Sequence, residues 1–128
     1  MYEFSNFINN IYLFKFSDKI TSEEIENFKK DFTNLVIEDK KFFFIIDLER
    51  INNFKTKFFY SIVKSIDSNQ ELLKKNLIGS SIILSSTFKN ILTVLINMKK
   101  KIAPNFISPN LSSSLDFFNN LNKAKTTI

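Results

Sequence analysis

The chain has 128 residues, a formal net charge of +5, and neither cysteine nor histidine. The lack of cysteine excludes disulfides, thiolate metal sites and cysteine nucleophiles, and the lack of histidine removes the usual general base near neutral pH and the commonest metal ligand. We therefore expect one small domain that is not an enzyme and carries no cofactor.

Lysine supplies nearly all of the positive charge, and Arg50 is the only arginine. Because arginine is the preferred partner of phosphate and guanine, base-specific recognition of nucleic acid is disfavoured, although weak nucleic-acid binding by lysine stays open. The N-terminus has no basic run, and the apolar stretch ILTVLINM is far shorter than the roughly 20 residues of a membrane helix. We expect a cytoplasmic protein without a transmembrane segment.

The first predicted elements form a β-hairpin followed by a helix. MYEFSNF and IYLFKFS are rich in aromatic and β-branched residues, and Asn9 and Asn10 between them favour a tight turn. Thr21 and Glu24 have the spacing of a capping box, which predicts the start of a helix. The positions predicted to face the core recur at helical spacing: Ile25, Phe28, Phe32, Leu35 and Val36.

Two continuous apolar segments, KFFFIIDL and LIGSSIILSS, are typical of parallel strands covered on both faces. A second helix is predicted between them, and ELLKKN continues it after the polar break DSNQ. TFKNILTVLINMKKK predicts a third helix that ends before Pro104. NFIS predicts a last strand, followed by a helix capped by Ser112 or Ser113.

The predicted order is ββαβαβαβα, which indicates the α/β class. We expect a single small domain with a mostly parallel mixed sheet, packed helices and one antiparallel strand from the hairpin. The predicted domain covers residues 1–122, and residues 123–128 are predicted to be a flexible tail.

This order resembles the STAS domain, the fold of anti-sigma-factor antagonists, over roughly residues 4–122. One local pattern sharpens the resemblance: an apolar strand ends in Asp-Leu, and an apolar connection leads to a phosphorylatable Ser or Thr that opens the second helix. Here Asp47 and Leu48 end the strand, Ile51 and Phe54 occupy apolar positions, and Thr56 stands at the acceptor place.

The resemblance implies a non-enzymatic regulatory module that docks a partner protein through the start of the second helix. Its partner is an anti-sigma-like kinase or, in a second branch of the family, the ATPase of a lipid transporter. The motif is degenerate, because Lys55 replaces the usual Asp and Phe58 the usual Gly. The predicted partner-binding residues are Asp47, Asn53, Lys55, Lys57 and Phe58.

Thr56 has two interpretations. Its hydroxyl is a helix N-cap, with Asn53 as the competing cap. Alternatively, Thr56 is a phosphoacceptor, and a phosphate between Lys55 and Lys57 changes the local surface from cationic to anionic and releases an acidic partner.

Adjacent phenylalanines on one helix cannot both face the core, because neighbouring positions point about 100° apart. One of Phe58 and Phe59, and one of Phe117 and Phe118, is therefore expected to leave the core face. An exposed Phe58 beside Thr56 forms an apolar patch suited to a partner.

The remaining candidates also have alternatives. Asp47 is an acceptor that organises a loop or, with Glu49, part of a weak divalent-cation site. Lys99, Lys100 and Lys101 complement the end of their helix or contact phosphate or anionic lipid. Alternative functions are binding of a lipid or small apolar ligand, and a homodimer formed through exposed phenylalanine or an open sheet edge.

Overall fold

A computed structural model of the chain describes residues 1–53, 55–85 and 103–126. The strands in this part are β1 (Tyr2–Ile8), β2 (Ile11–Lys19), β3 (Phe42–Asn53), β4 (Leu77–Ile83) and β5 (Asn105–Ser108). Its helices are α1 (Ser22–Val36), α2 (Thr56–Asp67), α3 (Gln70–Asn76) and α4 (Leu111–Thr126). The helix predicted at residues 87–101 lies outside the described residues.

The five strands form one sheet in the order β1-β2-β3-β4-β5. β1 is antiparallel to β2, and the remaining neighbours are parallel. Asn9 makes the hairpin turn with a φ of 49°, a left-handed conformation that asparagine tolerates. The predicted α/β class and mostly parallel mixed sheet are confirmed.

Helix α1 begins as its capping box predicts. The Glu24 N–H donates to the Thr21 hydroxyl at 3.2 Å, and the Thr21 N–H donates to the Glu24 carboxylate at 3.0 Å. All five residues predicted to face the core are buried. The apolar stripe packs on phenylalanines of β2 and β3, with ring centroids of Phe14 and Phe28 5.1 Å apart.

The helices cover both faces of the sheet. Helices α1, α2 and α3 share one apolar core with β2 and β3, to which α2 contributes Phe59 and Ile62. Helix α4 packs on the opposite face, where Phe118 meets Phe43 with ring centroids 4.5 Å apart. No helix in the described part of the chain has the length and apolarity needed to cross a membrane.

Strand β3 is longer than predicted. The segment ERINN, which follows the predicted strand KFFFIIDL, continues the strand, because Arg50, Ile51 and Asn53 pair with the end of β2. Ile51 is buried in the α1 face of the sheet. Two register shifts of the β2–β3 pair fall in this extension, each with an extra residue in β3, which is the pattern of β-bulges.

The start of α4 also differs from the prediction. Asn110 is the capping residue, since its side-chain oxygen accepts from the Ser113 N–H at 2.8 Å, as an N-cap residue does. Ser112 and Ser113 lie inside the helix. The helix continues to Thr126, past the boundary predicted at residue 122, and the tail stays a prediction.

Candidate functional site

Helix α2 starts at Thr56 without a side-chain cap. Lys55 is the N-cap residue, with φ −107° and ψ 119°, and it makes no capping hydrogen bond through its side chain. Thr56 is the first helical residue and is exposed. The interpretation of Thr56 as the cap is therefore wrong, and Asn53, the competing cap, instead ends β3.

The electrostatic surroundings of the two helix starts differ. The first turn of α1 carries Glu23 and Glu24, whereas the first turn of α2 contains no acidic residue. Lys55 and Lys57 are both exposed there. Because the first N–H groups of a helix and its dipole already make this end positive, the start of α2 is a cationic surface.

Phe58 contributes an apolar side chain to the same surface. It is partly buried and packs against the core, whereas Phe59 is fully buried, so Phe58 is less exposed than the sequence predicted. The Lys57 and Lys55 ammonium groups lie 5.1 and 5.8 Å from the centroid of the Phe58 ring, which is the range of cation–π contact. We call residues 55–58 the α2-start surface.

A small groove separates the α2-start surface from the start of α1. Its volume is about 200 Å³, and it is lined by Lys19, Ile20, Thr21, Lys55 and Phe58. The parallel pairing of β2 and β3 creates it, because Lys19 and Asn53 are paired at the carboxyl ends of these strands and each strand is followed by a helix. Ligand sites of α/β folds commonly lie at this end of the strands.

Lys19 and Ile20 were not among the residues predicted from the sequence to form a site. Their place in the groove depends on the register between β2 and β3, which joins residues more than 30 positions apart in the chain. The nearest sequence signal is the capping box at Thr21. It predicts where α1 starts, but it does not predict that the start of α2 lies on the other side of the groove.

Asp47 lies apart from this groove. It is inside β3, not at its end, and its Oδ1 accepts from the Glu49 N–H at 3.0 Å, which agrees with an organising role for the carboxylate. Ile46 and Leu48 face the α1 side of the sheet, so strand alternation directs Asp47 to the α4 side. In the described ranges, no three carboxylates are grouped to hold a metal ion.

Several predicted positions cannot be placed in the site. Phe54, Lys99, Lys100 and Lys101 lie outside the described residues. The side chain of Asn53 is likewise not described, although its backbone ends β3. The α2-start surface therefore brings together Lys55, Thr56, Lys57 and Phe58 of the predicted set.

Comparison with known proteins identifies the fold. No family model and no curated protein matches the sequence. Two solved structures are similar in fold. One is an uncharacterized protein of the DUF3478 family from Shewanella loihica PV-4 with a SpoIIAA-like fold, at TM-score 0.65, 14% identity and 91% coverage of each chain. The other is the anti-sigma factor antagonist SpoIIAA in its unphosphorylated form, at TM-score 0.65 and 9% identity over 93% of this chain and 98% of that one.

The chain therefore has the SpoIIAA-like fold, and the STAS-like architecture predicted from the sequence is confirmed. At these identities the likeness concerns the fold, and the residues that act on a partner must be argued from this chain's own surface.

Proposed function

We propose that this chain is a non-enzymatic regulatory module that binds a partner protein through the α2-start surface. The observation that carries the proposal is the exposed Thr56 between two exposed lysines at an uncapped helix start, beside the partly buried Phe58. A similar fold is found in a protein described as an anti-sigma factor antagonist, which supports a regulatory role.

Phosphorylation of Thr56 is the proposed switch. A phosphate carries about 1.5 to 2 negative charges at neutral pH and accepts strong hydrogen bonds. At this position it offsets the positive charges of Lys55 and Lys57 and lies at the positive end of the helix dipole, where anions are favoured. An acidic partner attracted by the lysines is then released.

The partner is proposed by resemblance to be an anti-sigma-like kinase or a transporter ATPase. Both are proteins, and both fit a module whose own chain supplies no acid–base machinery. The predicted absence of enzymatic activity and the predicted cytoplasmic location belong to the same proposal.

A pull-down with purified baits tests the docking surface. The baits are the wild type, Thr56→Glu and Phe58→Ala, with Thr33→Glu and Ile37→Ala as matched controls at exposed positions of α1 and its end. We expect a partner retained by the wild type and both controls and lost by the two variants at the α2-start surface. Equal retention by all five baits, each with an unchanged melting curve, contradicts the proposal.

The alternative functions have less support in the described residues. The groove of about 200 Å³ is smaller than the roughly 300–1,000 Å³ of typical ligand pockets, and the α1 face of the sheet is filled by fully buried phenylalanines. Nucleic-acid binding has little support, because lysine supplies all of the chain's basic side chains except Arg50. Lipid, anionic-surface and nucleic-acid binding stay predictions from the sequence.

A second copy of the chain is a further proposed partner, through β1. This strand is at the edge of the sheet and exposes Phe4, Phe7 and Ile8 by 37%, 42% and 52%. Native edge strands are often protected by lysine, proline or a bulge; β1 contains neither lysine nor proline, and the shift in its register lies after Asn6, close to the hairpin turn. The only charged residue of β1 is Glu3. If two copies of β1 pair in antiparallel fashion with Ser5 opposite Ser5, each Glu3 faces Phe7 of the other copy, and no two like charges are opposed.

A further inference from the structure

The groove between the starts of α1 and α2 combines an apolar floor with a cationic rim. Ile20 is 8% exposed and Phe58 is partly buried, and together they line its floor. Lys19 and Lys55 line it as well, and the Lys57 ammonium lies over the Phe58 ring, 5.1 Å from its centroid. Lys19 and Ile20 come from the end of β2 and the residue after it, and Lys55, Lys57 and Phe58 come from the start of α2.

We propose that this groove binds an acidic segment of a partner protein that places one apolar side chain between Ile20 and Phe58. The inference rests on the proposed function and names the chemistry of the partner at the same surface. The volume of about 200 Å³ matches a single side chain better than a whole small molecule, for which roughly 300–1,000 Å³ is typical.

The charge of the rim selects an acidic segment. Lys19 and Lys55 line the groove, the Lys57 ammonium lies 5.1 Å from the centroid of the Phe58 ring beside it, and no carboxylate is among its described lining residues. The nearby carboxylate of Glu24 is already neutralised, because the Met1 ammonium lies 3.1 Å from it and the Thr21 N–H donates to it at 3.0 Å. The described lining of the groove therefore offers positive charge and no carboxylate to a ligand.

The same contacts favour a protein segment over a nucleic acid. Single-stranded nucleic acid binds by stacking its bases on open aromatic faces. The ring of Phe58 is approached by two ammonium groups, at 5.1 and 5.8 Å from its centroid. The ring also lines a groove of about 200 Å³, which suits an aliphatic or aromatic side chain flanked by carboxylates.

This arrangement also explains how a phosphate on Thr56 acts. Lys55 and Lys57, which flank Thr56, are two of the three cations that attract the acidic segment. A phosphate on Thr56 competes for the same two ammonium groups, so it weakens the segment's binding without entering the groove.

The test is a titration of the ¹⁵N-labelled chain, followed by amide chemical shifts, with blocked synthetic peptides. The probes are Asp-Glu-Leu-Glu-Asp, the same peptide with Ser in place of Leu, Lys-Lys-Leu-Lys-Lys, and an oligomer of deoxythymidylate. We expect shift changes at residues 19–21 and 55–58 and the highest affinity for the acidic peptide with leucine. Loss of leucine or reversal of the peptide's charge weakens binding.

The lysines are tested by a charge-matched pair of variants. In Lys55→Gln/Lys57→Gln, the affinity of the acidic leucine peptide falls about fivefold to tenfold, as expected for the loss of two exposed ion pairs. The control Lys30→Gln/Lys64→Gln removes two exposed lysines from elsewhere on α1 and α2 and leaves the affinity unchanged. High salt weakens binding to the wild type.

Three results overturn the inference: no shift change at millimolar acidic peptide, equal affinity of the two double variants, or tighter binding of the deoxythymidylate oligomer at the same residues.

Failure of this inference is distinct from failure of the proposed function. If the capture of a partner depends on Phe58 but the acidic peptide does not bind, the docking function is supported and the acidic segment is contradicted. Peptide binding with a partner indifferent to Thr56 and Phe58 removes the docking function.

Discussion

Asp39 connects two parts of the chain at the amino end of the sheet, away from the α2-start surface. It lies between α1 and β3 with a φ of 54°. One carboxylate oxygen accepts from the Asn76 amide at 2.8 Å, and the other lies 3.1 Å from the Lys75 ammonium. The hydrogen bonds from Asn76 and Lys75, with the charge of Lys75, lower the pKa of Asp39 below its ordinary value of 3.8.

This lowered pKa predicts a pH-dependent contribution to stability. The contribution is complete above pH 3.8, and it is lost as the pH falls below that value and through the lowered pKa of the folded state. We expect Asp39→Asn to lower the melting temperature near neutral pH, and the difference from the wild type to shrink in acid. Asparagine tolerates the positive φ, so the backbone is not strained by the change.

Melting curves of both proteins from neutral pH to below pH 3.8 measure this effect. Glu3→Gln is the control, since it removes an exposed carboxylate from β1 with the same change in net charge. A difference between Asp39→Asn and the wild type that stays constant down to the lowest pH would contradict the assigned role of Asp39.

At the scale of elements, α4 approaches β4 at Gly79, the only glycine of the chain. A Cβ atom added at this position would lie 2.6 Å from the Leu121 Cδ1 and 3.5 Å from the Phe43 ring. Close by, the buried hydroxyls of Ser81 and Ser114 are 2.7 Å apart and join β4 directly to α4. The small residues of β4 thus set the distance between the sheet and its covering helix.

The close approach predicts coupling between positions 79 and 121. In the wild-type background the added methyl groups of Gly79→Val displace Leu121, and in Leu121→Ala that obstacle is absent. We expect Gly79→Val to lower the free energy of unfolding less in the Leu121→Ala background than in the wild type. The difference is at least about 0.5 kcal/mol, which is within the usual range of interaction energies for residues in contact. Chemical denaturation of the four proteins of the cycle measures this difference, and additive effects of the two substitutions would contradict it.

The elements were predictable to different degrees for physical reasons. The capping box and apolar stripe of α1 are local signals, and the structure confirms both. The end of β3 was not predictable, because Glu49, Arg50 and Asn52 have the polarity of a loop. Only pairing with the distant end of β2 makes this segment a strand.

The same reasoning applies to the candidate site. The resemblance indicates Thr56, Lys55, Lys57 and Phe58, which are contiguous in the chain and lie on one surface at the start of α2. It places Asp47 with them, whereas strand alternation directs that side chain to the opposite face of the sheet. The groove is also lined by Ile20, which lies between β2 and α1. Its contact with the start of α2 depends on the register of the sheet, which no local sequence pattern indicates.

At the scale of the whole molecule, the sheet has one edge that exposes apolar side chains. Phe7 and Ile8 are exposed on β1, and Phe4 stacks on Phe14 of β2 at 4.8 Å between ring centroids while 37% exposed. The chain's net charge of +5 opposes close contact of two copies, but the only charge on β1 is negative. The proposed pairing of two copies would therefore use an edge whose only charged side chain is acidic.

Pairing of two β1 strands predicts a dimer that a lysine at the edge prevents. We expect Phe7→Lys to weaken self-association at least about tenfold, because it adds a charge to the paired edge and removes apolar contact area, together about 1.4 kcal/mol or more. Ile37→Lys is the matched control: it makes the same substitution of an apolar side chain, 60% exposed, at the end of α1 and away from β1. Sedimentation equilibrium over a range of protein concentrations measures the dissociation constant of each protein. If the wild type stays monomeric at the highest concentration, or if both lysine variants dissociate alike, then β1 does not hold two copies together, and its exposed phenylalanines have another role.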